Sequence, residues 1–222
     1  VPMVYPNYQS VEDPDIRKRY EDAWGRALDP VKGLTVVEIM GEVSAGNING
    51  MYVQGENPAM SDPDQNHARK ALATLDHLVV QDIFLTETAW FADVILPASA
   101  QPEKPGTYTN SNRQIQIAMP VRKPPGDARQ DWKLLQGMAQ RSGLDWNYTN
   151  VGQVYTEMAS LMSSFDNISW ERLMREGVVC YPAKATDKPG EEIIFYNGFP
   201  TADGRARVVP TDLLPPDELP DD

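Results

Sequence analysis

Residues 50–97, GMYVQGENPAMSDPDQNHARKALATLDHLVVQDIFLTETAWFADVILP, decide the fold of this chain. Three short apolar runs occur here, at 50–53, 77–80 and 93–96, and polar or proline residues follow each of them. Between the first two runs, Ala68, Ala71, Leu72 and Leu75 recur at helical spacing. Strands that alternate with helices of this length predict an α/β fold, with a mainly parallel, Rossmann-like sheet and helices on both faces, followed by a helical and loop-rich region.

Further elements are predicted around this stretch. Ser61, Asp62 and Pro63 indicate the start of the crossover helix, with Asp62 as its cap and Pro63 at its first position. We also expect helices over 15–28, 35–43, 86–91, 131–141 and 151–164, and a β-ribbon formed by 107–108 and 114–117. The domains expected are a connector segment over 1–33, an α/β domain over 34–145, and a helical and irregular region over 146–222.

The composition excludes several kinds of protein. A net charge of −12 over 222 residues argues against a nucleic-acid binder, because phosphate contacts need Lys and Arg. A single cysteine, Cys180, excludes an internal disulfide and a Cys-rich metal site. No apolar run approaches the roughly 18 residues that a membrane helix needs. The tail at 215–222 holds four acidic residues and no basic one, and we expect it to be disordered or bound to a partner.

Polar residues and glycine follow the predicted strands where each strand ends. Ligands of a parallel α/β sheet bind beyond the carboxyl ends of its strands, so these residues share one sheet edge. Gly55 lets the backbone approach a ligand closely, and Asp82 can accept two hydrogen bonds from a ribose. Ser61 and the helix after it offer N–H groups suited to a phosphate. Each feature taken alone is also an ordinary turn or helix cap, but together they predict a ligand site.

No catalytic centre is evident from the residues alone. The two histidines, His67 and His77, stand in different predicted elements, so no Ser–His–Asp or Cys–His arrangement can be assembled. Cys180 lies in an apolar run, which favours a buried and inert thiol. The chain has no Gly-x-Gly-x-x-Gly motif, and a standard nicotinamide site is therefore not expected.

A long, ordered set of these residues resembles the molybdopterin oxidoreductase family, and within it the alpha (catalytic) subunits of formate dehydrogenases. The resemblance is strongest over residues 34–145. Its motifs are the runs 51–58, 61–64, 78–89 and 92–97, with Glu103, Lys104, Gly106, Thr107, Thr109, Asn110, Arg113, Gln116, Asp131 and Trp132.

The resemblance implies that this domain binds the guanine dinucleotide end of a bis-molybdopterin guanine dinucleotide carrying molybdenum or tungsten. It implies formate oxidation to carbon dioxide by the full enzyme, with iron–sulfur clusters and NAD elsewhere. The implied partners are the remaining domains of the same subunit and an iron–sulfur/flavin electron-transfer subunit, in the cytoplasm, with no nucleic acid and no membrane span. The cofactor-binding residues carried over from the family are Gly55, Asn57, Ser61, Gln81, Asp82, Ala98, Asn110, Arg113 and Asp131.

Other parts of the family pattern have no counterpart here. The metal-ligating Cys or selenocysteine, its adjacent His, the iron–sulfur cysteines and the C-terminal β-barrel domain are not found, and the sequence begins at Val1. We therefore expect an internal segment without catalytic residues or a metal site of its own, unable to oxidise formate alone. The alternatives are another molybdopterin oxidoreductase such as a nitrate reductase, a respiratory-complex subunit that has lost the metal, and a non-catalytic scaffold module of the same fold.

A segment that is covered by other domains should expose apolar side chains. We expect Tyr5, Tyr8, Trp90 and Phe91 to form part of such a surface. We also expect the leading segment to be loosely held, because it has no strong internal packing pattern.

Overall fold

The computed structural model describes residues 2–214, so the acidic tail at 215–222 lies outside the described residues. In this part of the chain the strands are β1 (Val4–Tyr5), β2 (Gln9–Ser10), β3 (Gly50–Gln54), β4 (His77–Asp82), β5 (Val94–Pro97), β6 (Gly106–Thr109), β7 (Gln114–Ala118) and β8 (Val178–Cys180). The helices are α1 (Pro14–Trp24), α2 (Val36–Ser44), α3 (Pro58–Ser61), α4 (Gln65–Ala73), α5 (Asp131–Arg141), α6 (Val151–Ser160) and α7 (Trp170–Glu176).

The predicted parallel sheet is confirmed. Its strand order is β3-β4-β5, and both pairs are parallel. Val53 lies opposite Val80, which in turn lies opposite Ile95. The three strands run in the same direction, so their carboxyl ends meet at one edge.

Helices lie on both faces of this sheet, as expected. On one face Val53 and Val80 join a buried cluster with Met40 from α2 and Leu72 from α4. Side chains of a strand alternate between faces, so Gln81 points away from that cluster. Its amide is bonded to Asp131, the first residue of α5, and this helix therefore begins over the opposite face.

The crossover helix begins later than the sequence predicts. Residues 58–61 form the separate short helix α3, and α4 starts only at Gln65. Its cap is Asp64, which accepts a hydrogen bond from the backbone N–H of His67 at 2.8 Å. The prediction of Asp62 as cap and Pro63 as first helical residue was wrong, because Asp64 makes the capping bond instead. The expected helix over 86–91 is a single 3-10 turn at Ala89–Phe91.

The leading segment folds on itself, contrary to the expectation that it is loosely held. Tyr20 of α1 is fully buried, and its ring stacks on Tyr5 with centroids 4.3 Å apart. Gly25, with φ +67°, ends the helix at Trp24 and not at residue 28. Of the other aromatic residues expected at the surface, Tyr8 and Trp90 are 85% and 74% exposed. Phe91 instead packs partly buried against the core cluster.

The chain divides into two compact units. The first comprises the described residues up to 106 together with 118–154, and the second comprises 107–117 together with the described residues from 155 onward. The core of the second unit contains Ile115, Tyr155, Leu173 and Val179. The predicted ribbon is confirmed as β6 and β7, and β7 pairs antiparallel with β8. Neither α7 nor β8 was predicted. Among residues 2–214, no helix is long and apolar enough to cross a membrane.

Candidate functional site

The carboxyl edge of the β3-β4-β5 sheet brings together most of the predicted site residues of the first unit. Gly55 follows β3 with φ +63°, and its N–H donates to the Gln81 carbonyl at 2.9 Å. An added Cβ at Gly55 would meet nothing within 4 Å, so space rather than protein lies above this backbone. Glycine is therefore favoured here because φ is positive, and without a side chain it lets a ligand approach the backbone closely.

Asp82, the last residue of β4, lies at the same edge. Its Oδ1 accepts hydrogen bonds from the backbone N–H groups of Ile83, at 2.6 Å, and Phe84, at 3.4 Å. Within residues 2–214 the carboxylate takes part in no ion pair. The two backbone donors fix the carboxylate at the turn and leave its second oxygen able to accept hydrogen bonds from a ligand.

An isolated parallel β-bridge, called the rung below, extends the sheet just after β5. Ala98 bridges to Arg129 in parallel, with Arg129 N–H donating to the Pro97 carbonyl at 3.0 Å and Ser99 N–H donating to the Arg129 carbonyl at 2.8 Å. Ser99 is fully buried, and its hydroxyl has no hydrogen-bond partner among the described residues. A buried hydroxyl without a partner costs stability, which makes Ser99, in the loop after the third predicted strand, a candidate ligand contact that was not among the predicted cofactor-binding residues.

Gln81 and Asp131 form a buried polar connection below this edge. Gln81 is 1% exposed, and its amide nitrogen donates to Asp131 Oδ1 at 2.8 Å. The Tyr52 hydroxyl donates to the Gln81 amide oxygen, and the Lys104 ammonium pairs with Asp131 Oδ2. Burial raises the pKa of the Tyr52 phenol, and the nearby Asp131 carboxylate raises it further. Sequence reasoning selected Gln81 and Asp131 but missed Tyr52, whose hydroxyl reaches them only after folding.

The Asn57 side chain forms hydrogen bonds with other residues of this chain. Its amide nitrogen donates to Glu87 at 2.7 Å, and its oxygen accepts from the backbone N–H and the hydroxyl of Thr88 at 3.0 and 2.8 Å. The bond from Asn57 lowers the pKa of Glu87. Ser61 is exposed at the end of α3, and its backbone N–H donates to the Asn57 carbonyl at 2.9 Å. The structure thus places both residues after β3, with Asn57 holding its loop.

Asn110 and Arg113 belong to the second unit. Asn110 closes the turn between β6 and β7 by accepting from the N–H groups of Asn112 and Gln114, at 2.9 and 3.1 Å. Arg113 has φ +63°, and its guanidinium donates to the carbonyls of Tyr181, Glu191 and Glu192. Both side chains are engaged in holding this unit together.

The second unit also contains the single cysteine and a cavity. Cys180 is partly exposed, not buried as expected, and its sulfur lies 3.3 and 3.4 Å from the carbonyl oxygens of Glu191 and Asn112. A cavity of about 660 Å³ is lined by residues of the loop after β8, including Glu192 and Tyr196, and contains none of the predicted site residues. Over residues 2–214, no group of three or more His, Cys, Asp or Glu side chains could hold a metal ion.

Comparison with known proteins gives the sequence a family context. The family model described as molybdopterin oxidoreductase matches residues 19–141. The chain is 40% identical, over its whole length, to the F420-dependent formate dehydrogenase subunit alpha of Methanocaldococcus jannaschii, and covers 32% of that protein. It is 38% identical over 95% of its length to a putative formate dehydrogenase of Staphylococcus haemolyticus, covering 21% of it.

A solved structure supports the same fold. Acetylene hydratase from Pelobacter acetylenicus superposes with a TM-score of 0.57 over 86% of this chain and 26% of that one, at 20% identity. Identity at this level shows a common fold only. The chain therefore corresponds to between a fifth and a third of the length of the proteins it resembles.

Proposed function

Because this chain belongs to the molybdopterin oxidoreductase family, we propose that it is part of the catalytic subunit of a molybdenum- or tungsten-dependent formate dehydrogenase. Within that subunit it would bind the guanine dinucleotide end of the pterin cofactor. The identity of 40% to a formate dehydrogenase alpha subunit, over the full length of this chain, supports formate as the substrate.

The observation that carries the proposal is the set of groups at the carboxyl edge of the sheet. Asp82 and Asp131 offer carboxylate oxygens, Ser99 a buried hydroxyl without a partner in the described chain, and Gly55 an open backbone. Carboxylates and hydroxyls suit the N–H and O–H donors of a nucleoside, and an open glycine backbone suits close approach of a diphosphate. The groups present therefore fit the nucleotide end of the cofactor.

Each residue has a separate task in this proposal. Asp82, held by two backbone N–H groups, would accept hydrogen bonds from the ribose. Asp131 would bind the base, and the exposed Ser61 and Gly55 would lie along the phosphates. Asn57 would keep the loop after β3 in place through Thr88. Asn110 and Arg113 remain predicted cofactor contacts by resemblance to the family alone.

The catalytic chemistry belongs to the cofactor and to the rest of the subunit. When bound, the cofactor supplies the metal centre at which formate is oxidised to carbon dioxide. We propose that electrons then leave through iron–sulfur clusters to NAD in a cytoplasmic enzyme with an iron–sulfur/flavin partner subunit. The name of the methanogen relative makes F420 the second candidate acceptor.

Another member of the family remains the alternative function. The likeness to acetylene hydratase shows that this fold is shared with an enzyme named for a different reaction. A different molybdopterin oxidoreductase, or a scaffold module without metal, would keep the same sheet edge.

Calorimetry with GDP tests nucleotide binding by the chain itself. Part of the site would be supplied by other domains, so we expect weak binding or none, with an affinity no stronger than the millimolar range, equivalent to about −4 kcal/mol. Asp82→Asn should weaken it, whereas Asp187→Asn, an exposed carboxylate in the second unit, should not. Sub-micromolar affinity would show that the site is complete in this chain. It would contradict the proposal that other domains supply part of the nucleotide site.

The substrate is tested on the longer protein that contains this sequence. We expect molybdenum or tungsten, a pterin guanine dinucleotide, and formate-dependent reduction of an artificial electron acceptor. A metal-loaded protein without formate activity would favour another family member, and a metal-free protein would favour the scaffold alternative.

A further inference from the structure

The side chains around Asp131 form a chain of four residues. Tyr52 donates to the Gln81 amide oxygen, the Gln81 amide nitrogen donates to Asp131 Oδ1 at 2.8 Å, and Lys104 pairs with Asp131 Oδ2. They come from β3, β4, the loop before β6 and the start of α5, all within the first unit. The four lie up to about 80 positions apart in sequence, so only folding assembles them.

Tyr52 and Asp131 hold the Gln81 amide from its two ends. A carboxylate only accepts hydrogen bonds, so Asp131 fixes the amide nitrogen on its own side. The amide oxygen then faces Tyr52, whose hydroxyl donates to it and restrains the Gln81 side chain. Gln81 itself is 1% exposed, whereas its partners Tyr52 and Asp131 are partly exposed, so both bonds are part-buried. Tyr52 therefore acts on the carboxylate through Gln81.

Lys104 fixes the other oxygen. The Lys104 and Asp131 side chains are 25% and 28% exposed, so this ion pair is partly withdrawn from water and more restrained than a surface pair. With one donor on each oxygen, the carboxylate cannot rotate freely. A carboxylate has about four lone-pair positions, so one acceptor position on each oxygen remains for a ligand.

We infer that Tyr52, acting through Gln81, and Lys104 are positioning residues that present Asp131 as a two-point acceptor to the base edge of a guanine nucleotide. The inference rests on the function proposed above. The guanine edge carries two neighbouring N–H donors, at N1 and at the 2-amino group, and a fixed carboxylate can accept both. Hypoxanthine lacks the 2-amino donor, and adenine presents an acceptor at N1.

Base preference separates positioning from a structural role. Replacing a residue that only stabilises the fold should weaken the binding of GMP and of IMP equally. Replacing a residue that orients Asp131 should reduce the preference for GMP over IMP. We would titrate the isotope-labelled chain with GMP, IMP and AMP at millimolar concentrations and follow the backbone and side-chain amide resonances. A preference of about tenfold for GMP over IMP is expected for one charge-assisted hydrogen bond.

The variants are chosen so that each removes one donor. Tyr52→Phe and Lys104→Met should each bring the GMP-to-IMP preference close to one, as should Asp131→Asn. Lys104→Arg keeps a cationic donor and should restore the preference. In Tyr52→Phe the Gln81 side-chain amide resonances should also shift without any nucleotide.

The outcomes distinguish this inference from the proposed function. If Asp131→Asn abolishes the preference while Tyr52→Phe and Lys104→Met retain it, the positioning inference is wrong and the proposed function stands. If the longer protein that contains this sequence carries no pterin guanine dinucleotide, the proposed function is wrong, and the inference is wrong with it.

Discussion

The side-chain oxygen of Asn57 accepts two hydrogen bonds from Thr88, one from its backbone N–H at 3.0 Å and one from its hydroxyl at 2.8 Å. Thr88 is fully buried, and its hydroxyl also accepts the N–H of Ala59 at 3.1 Å. The loops that follow β3 and β4 are thereby joined at the edge where the ligand site is proposed. A residue carried over as a cofactor contact thus has a structural task in this chain.

Asn57→Ala should destabilise the protein by about 1–3 kcal/mol, because it leaves the Thr88 N–H without a partner in a buried setting. The melting temperature should fall by several degrees in thermal denaturation. Asn66→Ala is the control, since Asn66 is exposed in α4. A melting temperature for Asn57→Ala equal to that of the control would contradict the role of this bond.

Gly55→Ala should cost about 1 kcal/mol through the backbone alone, since φ is +63° and an added Cβ meets no atom within 4 Å. Gly41→Ala is the matched control. It stands inside α2, where an added Cβ also meets nothing, and it should stabilise the protein by about 0.5–1 kcal/mol. Chemical denaturation measures both changes. Two changes of the same sign would contradict the strained turn.

Tyr155 should make stability depend on pH at alkaline values. Burial raises the pKa of its phenol from 10.0 to about 12, so the folded state holds this proton more tightly than the unfolded state. The stabilisation is complete below pH 10 and is lost as the pH rises to 12, amounting to about 3 kcal/mol. Urea denaturation across this range should show it.

Tyr155→Phe serves as the comparison for that pH series. It should be about 1 kcal/mol less stable at neutral pH, because the hydroxyl donates to the Ile168 carbonyl at 2.8 Å. The difference between the two proteins should shrink and then reverse above pH 10. A constant difference would show that the phenol does not titrate with a raised pKa.

Arg172→Met should destabilise the second unit by about 3–5 kcal/mol. The buried guanidinium donates to the carbonyls of Asn167, Ala185 and Lys188, and all three lose this donor in the variant. Limited proteolysis should then cleave the loop after β8 much faster. Arg175→Met, at a side chain 64% exposed, should leave both stability and cleavage nearly unchanged. Similar cleavage rates for the two variants would rule out this role.

The sheet could be predicted from the sequence because its strands are continuous apolar runs followed by polar residues. The predicted helix at 131–141 is confirmed residue for residue. Short elements were harder to predict. Strand β8 has only three residues, and its stability depends on pairing with β7, which is more than sixty positions away.

The sequence could predict several residues of the candidate site, but not their hydrogen-bond partners. Asp82 and Asp131 follow from their places after a strand and at a helix start. Tyr52 lies opposite Val79 in the register of β3 and β4, and its hydroxyl reaches Gln81 diagonally across the strand pair, a contact that no sequence pattern marks. Ser99 lies in the loop after the third predicted strand, but its unpaired hydroxyl could be recognised only once its neighbours were known.

The rung between Ala98 and Arg129 has a consequence for how the sequence can vary in length. Two backbone hydrogen bonds hold the segments around these residues side by side, so the chain leaves the sheet edge after Ala98 and returns to it, after thirty intervening residues, at Arg129. β6 and β7 lie within this stretch, and the part between Ala118 and Arg129 is a loop. Doubling the length of a flexible loop costs only about 0.6 kcal/mol of closure entropy. Insertions at the exposed turn near residues 121–127 can therefore accumulate without displacing Asp131, and this stretch is the natural place to attach a reporter.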